Sequence, residues 1–352
     1  MRGLVLDGVR QVSYRTDLPW PSIGAASDAV VSVQCAGLCG SDLHPYEGRE
    51  KVRFGVVPGH EAVGEVVAAG DEVRRFTPGD RVLVPFTTSC GACWACGNGL
   101  SSRCREGALF GYGPPDTPDV PALHGGQAEL LKVPLADTTL VPVPDGMTDE
   151  MALLLADNFP TGWYAAERAD AGTADVVVVV GLGAVGLCAV AASFALGTPA
   201  VLAVDPVEER RRRAAALGAA VAAPDGASRA LAAMSEQGRA GAVIEAAGTP
   251  AAQALAFSLV RPAGTLSTIA VQTAEHLAFP PAAAYDANVT LRFGRAPVRS
   301  LLEHLMPRLG RGVDIPVDVI VSHPRIPFEK GPEAYRRFAA REDGLVKGLF
   351  RP

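Results

Sequence analysis

Valines fill positions 176–180, the turn GLGAVG follows at 181–186, and an apolar helical stretch leads into a second apolar run ending in Asp205. A short unbroken apolar run closed by a glycine turn predicts a strand buried on both faces, as in a parallel sheet. Two more runs, GAVIEAAG at 241–248 and GTLSTIAV at 264–271, alternate with Ala-rich helical segments. This alternation predicts an open, doubly wound parallel sheet with helices on both faces. The first part of the chain reads differently: MRGLVLDGVRQVSYR alternates in the manner of a strand, and many Gly and Pro residues separate short apolar runs. That pattern predicts an irregular β-rich barrel, with a boundary between about 145 and 175. At 352 residues the chain exceeds the size of one growing core, so two domains of α/β type are expected. No internal repeat or low-complexity linker interrupts them.

Composition narrows the class. Apolar residues make up 48% and charged residues 20%, as in a globular enzyme. No window reaches the roughly 18 apolar residues of a membrane span, and the N-terminus lacks a signal-peptide core, so a cytoplasmic protein with no membrane partner is expected. A formal charge of −6 without a basic stripe gives no reason to expect nucleic acid. The run Arg210–Arg213 sits in an Ala-rich helical pattern and reads as a solvated face.

The glycine turn carries the first chemistry. Gly181, Gly183 and Gly186, with Leu182, Ala184 and Val185 between them, fit GxGxxG, and Asp205 stands 19 positions beyond the last glycine. Strand, turn, helix, second strand and acid in that order specify a dinucleotide site, with the pyrophosphate at the helix N-terminus and Asp205 on the ribose hydroxyls. A carboxylate there repels a 2′-phosphate, so NAD(H) is expected over NADP(H). Arg210 can offset that repulsion, which keeps NADP(H) open.

Cysteines carry the second. Cys90, Cys93, Cys96 and Cys104 lie at CxxCxxCx7C. In a reducing compartment they predict a closed tetrathiolate zinc that pins a lobe, with a redox disulfide pair or an iron–sulfur cluster as alternatives. An open metal site needs other ligands. Cys39 and His60, 21 positions apart and each beside a glycine, are accompanied by Ser41, Asp42, His44 and Glu61. Cysteine, histidine and one more ligand, with water in the fourth position, is the composition of a catalytic zinc.

Taken in order, Cys39-Gly-Ser-Asp, Gly59-His60-Glu61, the four-cysteine lobe and GLGAVG resemble the zinc-dependent medium-chain dehydrogenase/reductase family, the alcohol dehydrogenase superfamily. The resemblance covers essentially the whole chain. It implies a GroES-like catalytic domain at 1–157 and 302–352, a Rossmann coenzyme domain at 158–301, and an active site in the cleft. It also points to LLLADNFPTGWYAA at 153–166 for the third ligand, where many relatives carry cysteine and this chain has Asp157. ADNFPTGW is similar to the formaldehyde-dehydrogenase-like branch, in which an aspartate ligand is usual. Zinc accepts a carboxylate oxygen, so Cys39, His60 and Asp157 are the expected set, and a chain that has lost this zinc is the alternative.

The resemblance further implies an alcohol dehydrogenase with two zinc ions per chain, transferring hydride between an alcohol or carbonyl substrate and the nicotinamide. Zinc polarises the substrate oxygen, Ser41 and His44 relay the proton, Asp42 orients the His60 ring, and Glu61 sits behind the metal. An unperturbed His44 near pKa 6.5 would suit delivery to water. Thr161 is expected near the nicotinamide and Lys347 on the pyrophosphate. Gly40 stands where some relatives place a phosphate-binding arginine. A homo-oligomer is implied, a tetramer rather than a dimer. Two other functions compete: an NAD(P)H-dependent reductase of activated double bonds or quinones without catalytic zinc, and a non-catalytic scaffold. Cys35 and Cys188 read as buried thiols, and His124, His276, His304 and His323 as surface or packing residues. Phe110, Tyr112 and Phe293 are candidates for the substrate pocket or the core.

Overall fold

A computed structural model describes residues 1–112, 123–342 and 344–352. The chain divides into two compact units: Met1–Asp157 with Pro297–His304 and Val321–Pro352, and Asn158–Ala296 with Leu305–Ile320.

The first unit begins with the antiparallel hairpin β1 (Gly3–Gly8) and β2 (Gln11–Arg15). Next come β3 (Ala29–Leu38), β4 (Ala62–Ala69), β5 (Arg81–Val84), β6 (Leu130–Val133) and β7 (Val141–Pro142). The second unit contributes β8 (Val177–Val180), β9 (Val201–Val204), β10 (Ala220–Ala222), β11 (Ala240–Glu245), β12 (Val260–Thr268) and β13 (Thr290–Phe293). β14 (His323–Pro327) and β15 (Gly348–Arg351) return to the first unit, whose mixed sheet has the order β14-β15-β3-β4-β5-β7, with β6 also on β3.

Sequence alternation sets the core of that sheet and a bulge sets the site. Ala29, Val31 and Val33 face the core, but so do Ala36 and Leu38, because the β3–β4 register shifts between Val33 and Cys35. One extra residue on a strand reverses which side chains point inward beyond it. Gly37 and Cys39 therefore fall on the opposite face from Ala36 and Leu38.

In the second unit every neighbouring pair in β10-β9-β8-β11-β12-β13 is parallel. β8 and β9 are buried at every position, as the unbroken valine run predicts for a strand covered on both faces. The helices Asn158–Arg168 and Ala184–Ala195 pack closely because Gly162 has no side chain: a Cβ there would lie 2.6 Å from the Ala189 nitrogen.

The chain returns to the first unit in two steps. Residues 297–304 belong to the first unit, where Ser300 N donates to Ser101 Oγ at 3.2 Å. Residues 305–320 belong to the second, held by Arg308 over the Trp163 ring and by Arg213 donating to the Val319 carbonyl at 2.7 Å.

Candidate active site with two metal-binding clusters

The site in the first unit is assembled from three turns. Beyond the end of β3, Cys39 opens the turn Gly40–Asp42, and Asp42 Oδ2 accepts the Cys39 N–H at 2.8 Å. Gly59, at φ +90°, turns the chain so that His60 faces Cys39. The helix Asp149–Ala156, whose first turn is capped by Thr148 Oγ1, ends at Asp157. These turns bring together Cys39, His60, Glu61 and Asp157, with ligand atoms all within 4.8 Å of one another and all four residues buried.

The donor set fits a tetrahedral zinc. Cys39 Sγ and Asp157 Oδ2 are 3.8 Å apart, and His60 Nε2 and Asp157 Oδ2 are 3.6 Å apart. Bonds of about 2.3 Å to sulfur and about 2.0–2.2 Å to nitrogen and oxygen place tetrahedral donors roughly 3.4–3.6 Å apart, so little adjustment is needed. Asp42 Oδ1 lies 3.1 Å from His60 Nδ1, which leaves Nε2 for a metal. The cluster also draws positive charge. Burial pushes the His60 ring down, but the Asp42 and Asp157 carboxylates outweigh it and raise its pKa well above the usual value. Burial likewise pushes Asp157 up, yet His60 holds it at about 2. One sulfur, two carboxyl groups and one imidazole converge out of water, a donor set suited to a cation.

Behind the cluster, Glu61 Oε1 is 3.8 Å from His60 Nε2, while Oε2 is paired with the ammonium of Lys347. The family resemblance puts Lys347 on a pyrophosphate. In this structure it is fully buried, its ammonium enclosed against Glu61. Burial pulls Lys347 down, but Glu61 and Cys39 outweigh that and raise its pKa, so it stays charged. The residue is part of the surroundings of the candidate metal cluster.

Ser41 Oγ lies 3.1 Å from His60 Nε2, and the Ser41 carbonyl accepts the Tyr112 hydroxyl at 2.9 Å. Tyr112, a candidate lining residue, thus fixes the Ser41 backbone, with its ring 6.4 Å from the His60 ring. Phe110 is instead wholly in the core, and Phe293 lies on β13 of the second unit. His44 departs from expectation. Burial, then the neighbouring Arg49, pulls its pKa down to about 4, and Arg49 Nη1 sits 3.2 Å from His44 Nδ1. The ring is therefore neutral near pH 7, with Nδ1 accepting from the guanidinium.

Cys90, Cys93, Cys96 and Cys104 form the second cluster. Cys93 and Cys104 sulfurs are 3.9 Å apart, against about 3.8 Å for a regular ZnS4 tetrahedron with bonds of about 2.3 Å. Backbone N–H groups of Cys96 and Arg105 lower the Cys93 thiol, while burial raises those of Cys96 and Cys104. Trp94 stands on this lobe with 76% of its surface exposed.

In the second unit, Gly181 adopts φ +93°, and a Cβ on Gly186 would overlap the Gly181 carbonyl oxygen. Gly183, the N-cap of the helix that starts at Ala184, faces open space: a Cβ there would have nothing within 4 Å. The first N–H groups of that helix, from Ala184 to Gly186, have no side-chain cap. Asp205 follows β9. Its Oδ2 accepts from Leu182 N and its Oδ1 from Val207 N, both at 2.8 Å, and Arg210 Nη1 is 3.7 Å from Oδ2. The acid therefore ties the glycine turn to the next loop and keeps further lone pairs able to accept. Thr161 is buried in the helix Asn158–Arg168. The arginine run is not a freely solvated face. Arg211 donates to the Asp205 and Pro206 carbonyls, Arg212 pairs with Glu208, and Arg213 pairs with Glu209, because helical spacing brings each acid one turn away.

Cys35 and Cys188 are buried, as expected. Two buried polar side chains beside the metal cluster, Gln127 and Tyr335, carry no signal in the sequence. HGGQAEL holds a glycine pair before Gln127, but no periodicity marks it as distinct from core.

Residues 25–145 match the family described as alcohol dehydrogenase GroES-like domain, and residues 184–307 the family described as zinc-binding dehydrogenase. A Mycobacterium tuberculosis protein named as a probable zinc-binding alcohol dehydrogenase is 40% identical over 353 residues, spanning 100% of this chain and 89% of that protein. The structure of an alcohol dehydrogenase from Thermus sp. ATN1 superposes with a TM-score of 0.90 at 34% identity, covering 100% of this chain and 99% of that one. A glutathione-independent formaldehyde dehydrogenase of Bacillus subtilis is 36% identical over 202 residues, only 54% of this chain and 48% of that protein, so the likeness to that branch is partial. Matched along its whole length and carrying both thiolate-containing clusters, the chain belongs to the zinc-binding alcohol dehydrogenase family.

Proposed function

We propose that the protein is an NAD(H)-dependent alcohol dehydrogenase that interconverts an alcohol and its aldehyde or ketone, with one zinc held by Cys39, His60 and Asp157 and a second by the four cysteines. The observation that carries this reading is the contrast between the two clusters. The lobe offers four thiols and no further position, while Cys39, His60 and Asp157 converge as three donors with Ser41 beside them.

A zinc in the open cluster would supply Lewis acidity at the substrate oxygen, and a nicotinamide would supply or accept the hydride. The chain's own residues do the rest. Asp42 fixes the His60 tautomer. Ser41, its backbone set by Tyr112, takes the substrate hydroxyl proton. His44 would be the next stop once Nδ1 is released from Arg49: Nδ1 takes the incoming proton and Nε2–H gives one up, so the ring stays neutral overall. Glu61, paired with Lys347 although burial raises its pKa, stands behind the ligands as a spare carboxyl group. In the second unit the glycine turn and the first N–H groups of the helix Ala184–Ala195 take the pyrophosphate, with Thr161 near the nicotinamide, and Asp205 reads the ribose, supporting NAD(H) over NADP(H).

The two units then serve as catalytic and coenzyme domains. No described helix is long and apolar enough to cross a membrane, and the reading places the enzyme in the cytoplasm. It also takes the chain as a homo-oligomer, a tetramer over a dimer, as the family resemblance implies. A panel of alcohols and aldehydes scored by NADH absorbance, with NADPH in parallel and zinc counted per chain, tests the reading. Turnover with two zincs supports it. One zinc and reduction of activated double bonds would replace it with the reductase.

A further inference from the structure

Gln127 is fully buried, and its side chain lies between the two segments that carry Cys39 and His60. Its Nε2 donates to the Gly37 carbonyl at 2.8 Å, two residues before Cys39. Its Cγ fills the space a side chain would need at Gly59, where a Cβ would approach to 2.5 Å, one residue before His60. Its backbone holds the same turn, since Gln127 N donates to the Pro58 carbonyl at 3.1 Å and Gly126 N to the Gly59 carbonyl at 2.9 Å. The far end of the amide is fixed as well. Oε1 accepts the hydroxyl of Tyr335, 1% exposed, at 2.9 Å, and the Tyr335 ring packs on Tyr46 with centroids 5.3 Å apart.

We infer that Gln127, anchored by Tyr335, is a positioning residue that sets the separation of the Cys39 and His60 turns and so the metal affinity of the open cluster. An apolar side chain could fill the same volume. Only a group with a donor at one end and an acceptor at the other can tie the Gly37 carbonyl to Tyr335 while its stem holds Gly59. Gly37 and Gly59 lack side chains because the space is already taken, by Glu61 and Lys347 at the first and by Gln127 at the second. Groups bonded directly to metal ligands change metal affinity by about 10–100-fold when removed; Gln127 acts through the backbone of both turns, at the lower end of that range. The inference rests on the reading that Cys39, His60 and Asp157 bind a metal.

The test uses the full chain and two variants, Gln127→Met, which keeps an unbranched stem, and Tyr335→Phe, which removes one hydroxyl and keeps the ring. Zinc affinity is measured by competition with a chelator. The sites are told apart with cobalt(II), whose absorption differs between four thiolates and a mixed sulfur, nitrogen and oxygen set. Gln127→Met is expected to weaken the open cluster at least tenfold and alter its cobalt spectrum while the four-cysteine site is unchanged, and Tyr335→Phe to act in the same direction but less. Unchanged affinity and spectrum in both variants, or equal losses at both metal sites, would overturn the role. A wild-type chain that binds metal at the four cysteines alone would overturn the proposed function together with it.

Discussion

Lys347 and Glu61 form an ion pair with both side chains shut off from solvent, and Gly37 lies against it without a side chain. A Cβ on Gly37 would land on the Glu61 carboxylate and come within 2.9 Å of Lys347 Nζ. The pair therefore exists because β3 carries glycine at that one position. Its neighbours are the metal donors, so it supplies charge balance where water cannot.

Removing one member strands the other. Lys347→Met should lower stability by about 3–5 kcal/mol, since Glu61 is then a buried carboxylate without its cation. The double variant Lys347→Met with Glu61→Gln should recover most of that. Urea unfolding of the three chains measures it, and a Lys347→Met chain as stable as wild type would show that Glu61 takes up a proton or that water or another cation reaches it.

Asp157 and the lobe cysteines should separate in a metal count. Asp157→Ala is expected to lose the zinc of the open cluster and nearly all turnover while keeping the zinc held by Cys90, Cys93, Cys96 and Cys104. Cys104→Ser should do the reverse to the metals. Full zinc and full turnover in Asp157→Ala would remove this carboxylate from the ligand set.

Coenzyme choice should follow the charge on Asp205. Asp205→Asn keeps an oxygen for one of the two backbone donors, Leu182 or Val207, but no longer repels a 2′-phosphate, and Arg210 is released from its anion. The ratio of kcat/KM with NADP to that with NAD should rise about tenfold, equivalent to about 1.4 kcal/mol. An unchanged ratio would place coenzyme discrimination elsewhere.

Acid should act through His44. Its folded pKa, pulled down to about 4 by burial and Arg49, lies below the ordinary value of 6.5. Between those values the unfolded chain binds the proton and the folded chain does not. Stability from this site is thus intact above about pH 6.5 and is lost as pH falls to about 4, with a ceiling of about 3 kcal/mol because water still reaches the edge of the ring. His44→Gln should flatten that part of the stability profile relative to wild type; parallel profiles would contradict it.

Much of the site is legible in the sequence because its chemistry is local. The glycine turn, Asp205 and the four cysteines each sit within one loop or one βα unit, where spacing alone constrains geometry. Cys39 and His60 are legible from their neighbours Ser41, Asp42 and Glu61. Asp157 requires the family pattern, since a single aspartate after a leucine run has no mark of its own. The His44 pKa is not legible, because an unperturbed value ignores burial and Arg49.

Residue types and spacing by themselves determined the parallel sheet, the glycine turn and the four-cysteine set, because these follow from periodicities and contacts a few positions long. Only the tertiary structure decided where Lys347, Gln127 and Tyr335 act. Their partners lie far along the chain: Lys347 on Glu61, Tyr335 on Gln127 and Gln127 on Gly37. Such contacts depend on the β-bulge in β3 and on the room left by Gly37 and Gly59. A shift of one residue in β3 turns Gly37 and Cys39 away from the core, and that reversal brings the ligands and their buried supports together.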